Sequence, residues 1–404
     1  MSTMMNDPGL QVTQAFVKET PRFNQQNFKP VKSVNVKKTD FKLFLSVLDN
    51  GFVKDEDGRW KAPLPFKHPR PQLTNNRSQA LKRAQMLARD LKRNPIKKEH
   101  MITFMKSITD SDALEVAPPV PPGNECWFLP LFGVYHPRKP DKIRDVFDSS
   151  VSFEGLSLNS VLLSGPNLTN DLLGVLLRFR MDKVAIMADI QQMFYSFLVR
   201  EEDRDFLRFF WYKNNDSEKE LIEYRMKVHV FGNTPSPAVA TYGLRKTVEN
   251  EDSDVKNYVM KNFYVDDGLI SLPSSAEAIS LLRRTQGRLK NARIRLQKIV
   301  SNDVEVMEAF PSEDLEKNLM SLDTGSDDLP VQHNLGLSWG INSDSFTYNI
   351  RILEKPITKR GLLSVVNSLF EPLGFIAPIV IYGRILYREV GECNSSWDDP
   401  LPSD

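Results

Sequence analysis

The octapeptide Phe263-Tyr264-Val265-Asp266-Asp267-Gly268-Leu269-Ile270 sets two adjacent acids and a glycine between apolar flanks. That is the pattern of a tight β-hairpin. Neighbouring side chains on a strand leave it on opposite faces, so two ordinary strand acids would diverge. At a hairpin tip the constraint relaxes, and at least one carboxylate can be aimed outward at a cation. A plain surface Asp-Asp-Gly turn has the same sequence, so a second signal is needed.

Val184-Ala185-Ile186-Met187-Ala188-Asp189-Ile190 supplies it, with Asp189 standing 77 residues before Asp266. An apolar run ended by one acid reads as a buried strand. Taken alone, Asp189 also suits a helix N-cap at a strand–helix junction. Together, one acid at a strand end and two at a hairpin tip suit a two-metal site. Hard divalent ions such as magnesium take carboxylate oxygens, and two of them stabilise the attacking and leaving oxygens of phosphoryl transfer. No thiolate or imidazole cluster competes. The histidines at 68, 100, 136, 229 and 333 are scattered, and two cysteines, Cys126 and Cys393, exclude a disulfide framework or a Cys-based zinc site.

Around these signals the 404-residue chain has room for two to three domains. Its net charge of +1 says nothing of a polyanionic partner, but residues 59–100 hold twelve Lys/Arg against Asp90 and Glu99, a local +10. Apolar residues there recur at helical spacing, with Ser78 as the expected cap and Pro95 as the stop, so Lys82, Arg83 and Arg89 lie on a basic helix suited to phosphate contact. A solvated charged face is the bland alternative. No signal-peptide core opens the chain, and the nine-residue apolar stretch Gly374–Tyr382, broken by Pro378, is too short for a bilayer. A soluble intracellular protein without a membrane partner is expected.

The chain divides into a loosely ordered extension at 1–58, a basic helical region at 59–115, a mixed region at 116–330 and a closing segment at 331–404. The extension has a short helix at Phe41–Leu48. The Pro-rich stretch 116–123 is the expected boundary. In the mixed region a strand pair is expected at Trp127–Tyr135, helices at Asn170–Phe179, Pro237–Val248 and Ser275–Asn291, and a hairpin at Met260–Leu272. An acidic stretch, 303–328, reads as a loop or irregular helix, and 335–350 as strands around a turn.

A strand ending in Asp189, then Gly232 and Ser236-Pro237, then Tyr264-Val265-Asp266-Asp267 resembles the reverse transcriptases, specifically those of BEL/Pao-type long-terminal-repeat retrotransposons. Ile143-Arg144-Asp145-Val146-Phe147-Asp148, Ser157-Leu158-Asn159, Phe231-Gly232, Ser301-Asn302, Leu335-Gly336-Leu337-Ser338-Trp339 and Pro372-Leu373-Gly374 follow the same order. The likeness runs over roughly 55–390. It implies an α+β right-hand polymerase with fingers, a palm built on an antiparallel sheet, and, at 331–404, the end of the palm and part of a thumb. The implied activity is RNA-directed DNA polymerisation; the alternative is a catalytically inactive, transposon-derived nucleic-acid-binding fragment.

The resemblance implies roles for single residues. Asp189, Asp266 and Asp267 would hold two magnesium ions, for which manganese can substitute, helped by the Ile190 carbonyl. Phe194 would lie under the sugar of the incoming dNTP and exclude a 2′-hydroxyl, with a core aromatic as the rival role. Arg144 would clamp the triphosphate, with Lys139 or Lys142 assisting. Phe231 and Gly232, with Ser236 and Pro237, would form the loop and helix start beneath the templating pair, and Tyr264 would lie against nucleic acid. Lys298 would protonate the leaving pyrophosphate. Implied partners are an RNA or DNA template–primer, dNTPs, and the protease, RNase H and integrase segments of one polyprotein. Cytoplasmic retroelement particles are the implied location, the nucleus the other.

Three positions depart from the family pattern. Asp145 stands where an apolar residue is expected, Ile299 where an aromatic is usual, and Gly340 where an acid is common. As a strand neighbour of Arg144, Asp145 should point away from it at small cost. Asp323-Thr324-Gly325 matches the aspartic-protease tripeptide but lacks flanking strands, and reads as a chance match. With 137 residues after Asp267, no complete RNase H or integrase is expected.

Overall fold

The structure is a computed structural model that describes residues 38–136, 139–316, 331–334, 337–341, 343–347, 355–368, 372–392 and 395–401. Asp323-Thr324-Gly325 and residues 317–328 of the acidic stretch lie outside them.

The centre is a four-stranded antiparallel sheet in the order Phe263–Tyr264, Asp267–Leu272, Val184–Ile190, Leu296–Ser301. The central strand Val184–Ile190 is apolar up to Asp189 because both of its faces are covered there. Val184, Ile186, Ala188 and Ile190 enter a core shared with the helices Ser236–Thr247, Ser253–Lys261 and Ser275–Lys290. Ala185 and Met187 enter a second core with Phe179, Leu269, Val300 and Trp339. Two side chains anchor the start of this strand. Asn302 accepts from the Ala185 N–H and donates to the Lys183 carbonyl, and Ser301 donates to the Ala185 carbonyl. This is the α+β arrangement expected, and the hairpin lies beside the strand that ends in Asp189.

A third core gathers the helix Pro95–Asp110, the three-stranded sheet Leu114–Val116, Leu221–Met226, Arg208–Tyr212, and the long hairpin Leu131–His136 with Lys139–Phe147. The Pro-rich 116–123 stretch therefore separates no two cores: the strand just before it pairs with Leu221–Met226. Trp127–Tyr135 is not a strand pair either, since Leu131–His136 takes its partner from residues 139–147.

The basic helix runs Arg77–Arg93 and starts at Asn76, not at Ser78. Buried Asn76 holds the Phe128 backbone with both ends of its amide, a long-range contact that fixes the helix start without a side-chain cap. Pro95 ends that helix and opens the next as its first residue, where the missing N–H costs nothing. Ser274 caps Ser275–Lys290 by accepting from the Glu277 N–H. The hairpin begins at Phe263, because residues 260 and 261 finish a helix.

The segment 38–58 corrects the expectation of loose order. Lys38–Gly51 is a 14-residue helix in which Phe44 and Leu48 are fully buried in the main core. Their spacing puts both on one face. Phe44→Ala should cost about 3–5 kcal/mol, read from the denaturant midpoint. A change under about 0.5 kcal/mol would mean that the helix is dispensable surface.

The strands Val331–Asn334, Leu337–Gly340 and Ser345–Thr347 form a meander whose Trp339 packs edge-on against Phe179, 5.0 Å between ring centres. The helices Lys359–Val366 and Ala377–Gly391 follow. Among the described residues no helix is long and apolar enough to cross a membrane.

Candidate active site

Asp189 continues the Ala185, Met187 series to the end of the central strand, where that core no longer covers it. Asp267 is its direct cross-strand partner, as Leu269 is that of Met187. Opposed residues of an antiparallel pair share a face, so Asp189 and Asp267 stand together on the side away from the helices. Tyr264 pairs with Asp267 and closes a two-residue turn of Val265 and Asp266. Val265 takes φ +60°, a conformation β-branched residues rarely adopt, and packs against the main core. The Ile190 N–H donates to the Asp266 carbonyl at 2.9 Å, tying the hairpin tip to the strand end. Asp266 is thus the turn residue and Asp267 the first residue of the return strand.

Lys298 reaches the same point by a backbone irregularity. The pairing of Leu296–Ser301 with the central strand slips between Gln297 and Val300, and Lys298 adopts φ +52°. This bulge re-aims its ammonium, which lies 3.1 Å from Asp189 Oδ2. Burial pushes the Asp266 carboxyl above the usual carboxylate range, its own backbone N–H works against that, the Asp189 charge adds to the rise, and Lys298 pulls it back.

The donor set is all oxygen: the Asp189 and Asp266 carboxylates in electrostatic reach of each other. Among the described residues no group of three or more His, Cys, Asp or Glu forms a ready cage. The residues present fit a hard ion such as magnesium, which binds through one or two carboxylates and completes its shell with water and substrate phosphates.

Beside the acids opens a cavity of about 530 Å3, lined by Arg144, Asp145, Phe194, Phe231, Val265 and Asp266 among others. Phe194 sits in the turn Met193–Ser196, half-buried at the edge of the main core, with its ring centre 6.0 Å from that of Phe231. The Arg144 guanidinium stands 5.7 Å from the Phe231 ring centre. Arg144, Phe231 and Phe194 therefore stand side by side along one wall of the cavity. The side chains of Lys139 and Lys142 lie outside the described residues.

The loop bearing Phe231 is held from below. Asn159 donates to the Gly232 carbonyl and accepts from the Thr234 N–H. Gly232 has φ +120°, and a Cβ there would meet the Phe147 carbonyl oxygen at 2.4 Å, so only glycine fits. Ser236 is buried and its hydroxyl donates to the Val230 carbonyl, so it holds the loop and is not open to nucleic acid, a correction to its expected role. Pro237 is exposed, and Tyr264 is half-buried in the hairpin. Lys82, Arg83 and Arg89 are exposed on the basic helix, away from these acids in sequence. Asn159 and Asn302 were legible only as motif members. Their supporting roles come from side-chain amides that both donate and accept.

A family model described as the Pao retrotransposon-like RNaseH-like domain matches residues 358–404, within the segment expected to close the palm and begin the thumb. Among solved structures, the foamy viral protease-reverse transcriptase, determined in complex with RNA/DNA hybrid, is similar at 15% identity and TM-score 0.46 over 88% of this chain. This chain spans 41% of that protein's length. No curated protein matches.

Proposed function

We propose, on the premise that this chain is a pol segment of the BEL/Pao retrotransposon type, that it is an RNA-directed DNA polymerase. The observation that carries the proposal is that Asp189 and Asp267 are cross-strand partners, with Asp266 at the adjoining hairpin tip lining a cavity walled by Arg144, Phe231 and Phe194. A primer 3′-hydroxyl would attack the α-phosphate of a dNTP in line, releasing pyrophosphate. Asp189 and Asp266 would hold the magnesium ions, which supply the positive charge that transferring phosphoryl oxygens need. Arg144 would grip the triphosphate, its guanidinium kept in place by the Phe231 face. Phe194 would lie against the sugar. Gly232 would let the loop backbone approach the nucleotide. Lys298 Nζ would carry a proton to the leaving pyrophosphate. Most of the rate gain would come from positioning and preorganised charge.

The test is magnesium-dependent primer extension on an RNA template, wild type beside Asp266→Asn. Extension by the wild type alone would support the proposal.

A second function, nucleic-acid binding without catalysis, is favoured by one observation: the Lys298 ammonium already lies against Asp189. Under either function the exposed basic helix is a phosphate-binding face. The triple variant Lys82→Ala, Arg83→Ala, Arg89→Ala should lower primer–template affinity. It should also flatten the log-affinity against log-salt slope by roughly two to three. An unchanged slope would leave this helix a solvated face. Magnesium dependence of product formation separates the two functions.

A further inference from the structure

Phe194 and Phe231, the two rings of the cavity wall, are carried by one backbone junction. Phe197 follows Phe194 in the chain at the end of its turn, and His229 stands just before Phe231. The Phe197 N–H donates to the Phe194 carbonyl at 3.3 Å, and the Phe197 carbonyl accepts from the His229 N–H at 3.0 Å. Leu198 and Val228 continue the pairing beyond them. The loop that bears Phe231 then runs into the helix Ser236–Thr247. Phe197 is therefore the residue through which the turn of Phe194 meets the loop of Phe231.

A slot in that same helix holds Phe197. Its ring is fully buried and lies over Gly243, where a Cβ would come within 2.2 Å of Phe197 Cε1 and 2.6 Å of Phe52 Cζ. Helix interiors disfavour glycine against alanine, so Gly243 has a packing reason: the missing methyl makes the seat. Phe52 touches the same slot, its ring centre 6.2 Å from that of Phe197. Its backbone N–H, however, donates to the Leu48 carbonyl of the first helix and not to the turn.

We propose that the seating of Phe197 on Gly243 is a positioning device for sugar selection, which fixes where the Phe194 ring stands in the cavity without touching the nucleotide. The inference rests on the polymerase reading and on Phe194 as the gate against a 2′-hydroxyl. A close-packed interior transmits a displacement instead of absorbing it. A side chain at 243 must push the Phe197 ring, and extra volume in a packed core moves backbone. The backbone that moves is the one bonded to Phe194 on one side and to His229 on the other. Discrimination by collision needs a ring at fixed distance, so a shifted or loosened turn admits the larger sugar.

The experiment is single-nucleotide primer extension on an RNA template. It measures kcat/KM for one deoxynucleotide and its matching ribonucleotide, beside the melting temperature of each variant. Gly243→Ala should raise the ribonucleotide to deoxynucleotide ratio about fivefold. Phe197→Leu, which loosens the seat, should raise it about threefold. The double variant should return to within about twofold of wild type, because the added methyl fills the volume that the smaller side chain leaves. Phe52→Leu loses comparable packing in the same slot without a backbone link to the turn. It should lower the melting temperature by a few degrees and leave the ratio unchanged. An unchanged ratio in both Gly243→Ala and Phe197→Leu would overturn the proposal. So would an equal rise in Phe52→Leu, which marks general loosening, or a double variant no closer to wild type than the single ones. Should Gly243→Ala fail to fold, Phe197→Leu against Phe52→Leu decides. A wild type that extends without distinguishing the sugars would overturn the gate itself, and a wild type that does not extend would overturn the polymerase reading.

Discussion

Asp266→Asn should lower primer extension at least about a thousandfold while primer–template affinity stays within about threefold and the melting temperature does not fall. The size follows from what the substitution removes. Asparagine keeps the volume of the side chain and leaves the backbone turn intact, including the Asp266 carbonyl that accepts from Ile190. What is lost is one unit of negative charge at the point where cations must gather, and charge stabilisation of phosphoryl transfer is worth several kcal/mol. The fold should not suffer. Burial and the Asp189 charge already work against ionised Asp266, so a neutral residue relieves repulsion. Loss of activity without loss of stability is the signature of a catalytic carboxylate; a structural acid would give the reverse. Asp189→Asn should match it in activity but also release Lys298 from its 3.1 Å pairing. Near-normal extension by Asp266→Asn would sink the assignment.

The parts of this site that were legible in the sequence are those set by local pattern. An unbroken apolar run ending in Asp189 marks a strand covered on both faces, and two acids between apolar flanks mark a hairpin tip. Both appear where expected. The parts that were not legible depend on pairing across the sheet. Lys298 looks like an ordinary strand residue, and only the slip between Gln297 and Val300 turns it onto Asp189. Asn76 displaces Ser78 as the helix start because its amide is held by Phe128, 52 residues away. The helix Lys38–Gly51 was read as short and loosely attached. Its docking depends on partners such as Val239 and Phe197, which no local window contains. Asp145 lies between the two. Strand alternation correctly turned it away from Arg144, but a small cost was expected, and the structure buries it without a donor.

Phe194→Ala should raise the ratio of ribonucleotide to deoxynucleotide kcat/KM at least about tenfold, with deoxynucleotide incorporation only modestly slower. Phe194 has two candidate roles, and its surroundings separate them. A core aromatic would be fully buried, and its truncation would cost about 3–5 kcal/mol. Phe194 instead packs at the edge of the main core and turns a face to the cavity, where its nearest ring is Phe231 at 6.0 Å. It is carried on a short turn entered through Gln192 at φ +47°, five residues past the acid that ends the central strand. Its distance from Asp189 is therefore set by backbone and not by a flexible stem. A rigid ring at fixed distance from the reacting phosphate discriminates by collision, which is a repulsive device and needs no contact to the favoured sugar. Removing the ring would delete that collision and leave the proposed Arg144–Phe231 grip on the triphosphate in place. Selectivity should therefore change far more than affinity. Phe194→Tyr, which keeps the ring, should retain selectivity. An unchanged ratio in Phe194→Ala, with a stability loss of several kcal/mol, would return Phe194 to the core.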